Sequence, residues 1–133
     1  NYSDRKSCAN IGVYRQSVNE LYNNHMARPQ ESGTRSDLRY YKITDTSGAG
    51  LRIIADTPFS ASALPYSIEA LDLSRNDYRR HSGQLQSDEK IHLCFDLLQQ
   101  GVGCINSWGA WPLEPSRVPY QDYTFNFIIT PLR

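Results

Sequence analysis

The 133-residue sequence predicts an all-β domain folded as an antiparallel β-sandwich, with one short helix near residues 67–75. Three observations carry that expectation. Runs rich in aromatic and β-branched residues recur at short intervals along the chain. Two of them, Lys90 to Leu97 and Tyr123 to Ile129, alternate with the period of two that a half-buried strand requires. Proline and glycine fall between the runs as punctuation, which suits many short strands joined by turns. One buried face on each of several strands is the pattern of packed antiparallel sheets.

Taken in order, Asn1 to Arg28 is polar and weakly patterned. Arg28-Pro29-Gln30-Glu31-Ser32-Gly33 reads as a loop, bracketed by proline and glycine. Leu38 to Thr44 reads as a strand, and Leu51 to Ala55 as its partner. The Gly-rich connection Asp45 to Gly50 makes the two a hairpin. Phe59 to Leu64, between Pro58 and Pro65, is a third strand. Ser67 is placed to cap a helix through about Arg75, with Ile68, Leu71 and Leu73 as its apolar stripe. In the 90–97 strand Ile91, Leu93, Phe95 and Leu97 share one face; His92, Cys94 and Asp96 share the other. Gln99 to Pro119 is a long loop that carries both tryptophans. In the last strand Tyr123, Phe125, Phe127 and Ile129 lie opposite Thr124, Asn126 and Ile128.

Composition excludes more than it identifies. A hydrophobic fraction of 39% with 21% charged residues is that of a globular chain, not a disordered one. Fourteen Lys and Arg balance fourteen Asp and Glu, which removes the basic footprint of a partner for nucleic acid or an anionic membrane. The longest apolar stretches fall far below the roughly 20 residues of a spanning helix. Cys8, Cys94 and Cys104 are too few, and odd in number, for a disulfide framework. The chain opens without Met, as an excised piece would, so the lack of a leader says nothing about the compartment.

Several constellations bear on chemistry. His92, Cys94 and Asp96 line one strand face about 6.6–6.8 Å apart at Cα. They suit a metal or a thiolate–base pair only if their side chains converge; otherwise they are the mixed second face of the strand. His25 and His81 have no partner at ligand spacing. Gly48-Ala49-Gly50 and Gly101-Val102-Gly103 complete no phosphate-binding motif and instead permit tight turns. Nothing in the sequence pairs any two of Asp37, Asp45, Asp56, Glu89, Asp96 and Glu114 as glycosidase carboxyl groups. The most distinctive stretch is Gly101 to Pro112, in which Trp108 and Trp111 sit among glycines. An indole offers a flat apolar face and one N–H donor, which fits the C–H face of a sugar ring. Either tryptophan could equally plug the end of the sandwich.

Four blocks resemble a known family, in its order. Asn1-Tyr2-Ser3-Asp4-Arg5 resembles N-Y-P-D-R. Arg28 to Gly33 followed by Asp37-Leu38-Arg39-Tyr40 resembles R-P-Q-E-N-G and D-x-R-W. Phe59 to Tyr66 resembles F-x-F-S-A-L-x-Y, and Gly101 to Gly109 resembles G-V-G-G-x-x-S-W-G. Together they resemble the C-terminal domain of the large bacterial β-galactosidases, whose catalytic domain is a TIM barrel. The sequence departs from the pattern at Ser3, at Cys104 where glycine is usual, and at Asn76 where histidine is common. A Cβ at position 104 restricts any conformation that used a positive φ.

The resemblance implies a galactose-mutarotase-like super-sandwich, of which residues 1–133 would be the C-terminal half. It implies a non-catalytic role, with the chain inactive alone, in an enzyme that hydrolyses terminal β-D-galactosides such as lactose. The catalytic glutamates and the Mg and Na sites would lie on the barrel, leaving no catalytic residue, metal or cofactor here. The family's S-W-G tryptophan reaches the mouth of the barrel's pocket, and Trp108 holds that place; Asn106, Ser107 and Trp111 are weaker candidates for sugar contact. The implied partners are the galactoside, the barrel of the same polypeptide and further copies in a homo-oligomer, with no nucleic acid and no membrane. A bacterial cytoplasmic location is favoured over a periplasmic one. The alternatives are an independent carbohydrate-binding module and a purely structural oligomerisation domain.

Overall fold

The computed structural model describes residues 10–23, 33–71, 86–100 and 109–133. Among these, the elements run α1 (Val18–Asn23), β1 (Arg35–Leu38), β2 (Tyr41–Thr44), β3 (Gly50–Ala55), β4 (Phe59–Leu64), α2 (Ile68–Leu71), β5 (His92–Asp96) and β6 (Phe127–Leu132), with one 3-10 turn at Glu114–Ser116. The strands form two three-stranded sheets, in the orders β1-β4-β5 and β2-β3-β6, and the registered pairs are antiparallel. The all-β, antiparallel sandwich expected from the sequence is therefore the fold class observed. The chain divides into two compact units. Of the described residues, 10–11, 35–61, 95–100 and 109–133 belong to the first, and 12–23, 33–34, 62–71 and 86–94 to the second.

The core of the first unit is aromatic. Ile53 on β3 and Phe59 and Ala61 on β4 are buried together, with Leu38, Tyr41, Leu51, Ala55, Phe95 and Phe125 packed against them. Strands of both sheets thus meet across one apolar layer, as a sandwich requires. The Phe59 ring lies 6.4 Å from Phe95, edge-on, and 6.4 Å from Phe125. Phe95 also meets Tyr41 at 6.4 Å, and Phe125 meets Phe127 at 5.2 Å. These separations lie in the favoured range for edge and tilted ring pairs.

The expected hairpin is present. Tyr41 faces Ile53 and Thr44 faces Gly50 in register. Its loop is closed by Asp45, whose Oδ1 accepts hydrogen bonds from Ser47 N (2.8 Å), Ser47 Oγ (2.6 Å) and Ala49 N (3.1 Å). Those bonds, the Ser47 hydroxyl first, hold the Asp45 carboxyl below its ordinary pKa. Gly48 takes φ +93°, which a side chain rarely tolerates. Gly50 is required for a different reason: a Cβ there would meet the Ile43 carbonyl oxygen at 2.0 Å.

The run Leu38 to Thr44, expected as one strand, is two pieces. Asp37 has φ +56°, and β1 ends at Leu38. β1 belongs to the first sheet and β2 to the second, so the chain changes sheet between Leu38 and Tyr41. β-Propensity favours strand throughout the run and cannot report a change of sheet. The last strand also differs. It begins at Phe127, not Tyr123, and runs to Leu132 with Pro131 inside it. Proline is tolerated there because β6 is an edge strand. Phe127, Ile128 and Ile129 are 44%, 62% and 48% exposed, so alternation revealed a strand without revealing what covers it.

In the second unit, Leu21, Leu64 and Tyr66 form a buried cluster, with Ala70 packed against it. A single helix was expected, but α1 is a second. Its signal is Ser17-Val18-Asn19-Glu20, a capping box: Ser17 N donates to Glu20 Oε2 (2.7 Å) and Glu20 N to Ser17 Oγ (3.2 Å). Ser17 thereby lowers the Glu20 pKa through its backbone and side-chain bonds. Ser67 caps α2 as expected, accepting from Ala70 N at 3.3 Å. The extension toward Arg75, with Leu73, lies outside the described residues. Ile68, expected on the apolar stripe, is 53% exposed, and Ala70 takes the inward place.

Truncating the central ring tests this architecture. Phe59→Ala is expected to destabilise the protein by about 3–5 kcal/mol, as large-to-small core substitutions at aromatic positions do. The readout is a lowered midpoint of urea unfolding.

Candidate functional site

The sequence points to the loop between β5 and β6, and the structure describes its C-terminal part from Gly109 onward. Gly109 takes φ +83°, with no atom within 4 Å of where a Cβ would stand. Trp111 follows, 70% exposed. The Arg117 guanidinium stands over its ring, 5.9 Å from the centroid. Arg117 is fixed in turn, because its Nε donates to the Pro112 carbonyl at 2.7 Å and its backbone N to Glu114 O at 3.1 Å. Pro112 is buried, and Pro115 sits inside the Glu114–Ser116 turn, where its fixed φ suits helical geometry. The result is an indole held on stiff backbone with a cation against one face.

The base of the loop is tied directly. Val118 N donates to the Gln100 side-chain oxygen at 2.7 Å, joining the residues on either side of positions 101–117. Phe95 before the loop and Phe125 after it both pack in the aromatic core of the first unit. Tyr123 adds a bond from its hydroxyl to the Pro119 carbonyl. Sequence reasoning missed Arg117, Gln100 and the bonds they make. Their positions follow from folding of the loop, and no spacing rule announces them.

Trp108, Ser107 and Asn106 lie outside the described residues, as do Cys104 and the glycines at 101 and 103. Trp111 is described, and at 70% exposure it is not the tryptophan that plugs the end of the sandwich.

The strand face of His92, Cys94 and Asp96 forms no catalytic pair. His92 Nε2–H donates to Asp88 Oδ2 at 2.9 Å. The Asp88 carboxylate can only accept, which sets the proton on Nε2. Asp96 accepts from the Gln99 amide at 3.4 Å. Cys94 is a half-buried free thiol. Among the described residues, no three His, Cys, Asp or Glu side chains converge on a position that could hold a metal ion. No described helix is long and apolar enough to cross a membrane.

Charge around His92 is local. The His92 bond, and after it the Lys90 amide, hold the Asp88 carboxyl below its ordinary pKa. Glu69 is lowered by its own backbone amide first, then by Ser67, with a smaller contribution from His92. These exposed groups are structural tethers at the edges of α2 and β5, and they do not assemble a site.

Comparison with known proteins bears on the whole chain. A family described as beta galactosidase small chain matches residues 1–129. A β-galactosidase of Priestia megaterium is 33% identical over 137 residues, covering 99% of this chain and 12% of its own length. One from Streptococcus thermophilus is 30% identical over 133 residues, covering 98% and 12%. One from Lactobacillus delbrueckii subsp. bulgaricus is 35% identical over 112 residues, covering 81% and 10%. The chain thus spans about an eighth of the length of these relatives.

The Asp88–His92 bond makes a pH-dependent prediction. Asp88 has a folded pKa below its unfolded value, so its contribution to stability is full above about pH 4 and is lost as pH falls through the folded value. A carboxyl-carbon NMR titration should place the Asp88 midpoint below 3.8, and His92→Ala should raise it.

Proposed function

The chain belongs to the beta-galactosidase small chain family, and from that membership we propose that it is the non-catalytic part of a β-galactosidase that completes the sugar pocket. The observation that carries this reading is the match of one family over residues 1–129, with relatives of about eightfold greater length that are β-galactosidases. The whole enzyme would cleave terminal β-galactosides by the retaining double displacement, in which one carboxyl group acts as nucleophile and another as acid and then base. Those groups, and the Mg and Na ions, would be supplied by a TIM barrel in the same polypeptide.

Trp108 is the residue we assign to the pocket, with Ser107 and Asn106 beside it. Its indole would stack on the C–H face of the sugar on the leaving-group side, worth on the order of 1 kcal/mol by analogy with other aromatic contacts. A supporting feature is the tied base of the loop, since Gln100 and Val118 fix both ends of the segment that carries Trp108. A platform of this kind binds substrate and transition state about equally, so it acts on KM more than on kcat. The edge strand β6, with its exposed Phe127, Ile128 and Ile129, suits a further assembly role.

In the full-length enzyme, Trp108→Ala is expected to raise KM for lactose and for nitrophenyl β-galactoside about fivefold while kcat changes less. An unchanged KM for both substrates would remove Trp108 from the pocket.

A further inference from the structure

Trp111, a weaker candidate for sugar contact in the sequence, is not among the residues assigned to the pocket above, and a guanidinium lies against its ring. The residue is 70% exposed, while the next carbonyl, that of Pro112, accepts the Arg117 Nε–H at 2.7 Å. Arg117 covers the ring from one side, at 5.9 Å, and is itself locked by its bond to the Pro112 carbonyl. The Glu114–Ser116 turn, with Pro115, fixes the spacing between Trp111 and Arg117. The guanidinium is therefore ordered before any ligand arrives, which lowers the conformational entropy lost on binding.

The free part of such a ring is flat, apolar and electron-rich. That matches the weakly positive C–H face of a pyranose. A single stacking contact is worth about tenfold in affinity at most, too little to hold a free monosaccharide at millimolar concentration. It becomes effective when another part of the same saccharide is already bound, because the second contact is then intramolecular.

We propose that Trp111, braced by Arg117, is a second saccharide platform, which holds sugar units of galactosides longer than a disaccharide while their terminal galactose is bound elsewhere in the enzyme. The proposal rests on the reading of the whole polypeptide as a β-galactosidase. It is independent of whether Trp108 lines the pocket.

The test uses the full-length enzyme with two substrates, nitrophenyl β-galactoside and the trisaccharide β-galactosyl-lactose. For Trp111→Ala, kcat/KM for the trisaccharide should fall roughly fivefold more than for the aryl galactoside, with the difference in KM. Trp111→Phe should recover most of that difference, since a smaller ring retains the flat face. Equal change for the two substrates, or no change for either, would overturn the proposal. A lowered thermal midpoint with a uniform loss of kcat would also overturn it, because Trp111 would then pack against another part of the polypeptide. Trp108→Ala measured in parallel separates the two assignments. If it leaves both substrates unaffected while Trp111→Ala changes their ratio, the pocket assignment fails and the platform stands.

Discussion

The structure depends on one contact, the burial of Phe59 between the two sheets. Phe59 sits on β4, the central strand of the first sheet, and only 1% of it is exposed. It packs with Ile53 of the second sheet and touches Phe95 and Phe125. The residues after it are small: Ser60, Ala61, Ser62 and Ala63 are all buried, and β4 is buried along its whole length. Small side chains on a strand buried along its whole length allow close packing around the large Phe59 ring. Two features depend on this arrangement. The chain must change sheet between Leu38 and Tyr41, because both flank the same core, and the β2–β3 hairpin must present Ile53 to it.

The same contact bears on the loop that carries the tryptophans. Phe95 leads into that loop and Phe125 follows it, and both rings rest on Phe59. The Gln100–Val118 bond closes the base just beyond them. The described ends of the loop are therefore anchored beside a packed aromatic core, and a loop positioned by such a scaffold is well suited to binding. Within the proposed function this divides the work: the sandwich supplies position, the indoles supply apolar contact, and the carboxylates that break the glycosidic bond belong to another part of the polypeptide.

Much of the fold was legible in the sequence, for identifiable reasons. The β2–β3 hairpin could be read because Asp45 to Gly50 carries its own turn chemistry, from the Asp45 side-chain bonds to the positive φ of Gly48. β4 could be read to the residue between its two prolines. The break at Asp37 to Tyr40 could not, since it follows from which sheet each half joins, and that is a tertiary property. The start of β6 was misplaced because Tyr123 and Phe125 continue the alternation without joining the ladder. α1 was legible through Ser17 and Glu20 but lay in a stretch with no apolar periodicity to draw attention. At the candidate site, tryptophans in a glycine-rich loop stood out by composition. Arg117 did not, because a cation six positions after Trp111 is a neighbour only once the Glu114–Ser116 turn has formed.

The central claim is that this chain shapes the sugar site of a galactosidase without supplying its nucleophile. The most direct measurement is covalent trapping of the full-length enzyme with a 2-deoxy-2-fluoro-galactosyl inhibitor, followed by peptide mapping. The inhibitor arrests a retaining enzyme as its glycosyl intermediate and so marks the nucleophile. The account predicts a label on a carboxylate outside residues 1–133. A label on any Asp or Glu within them would contradict it.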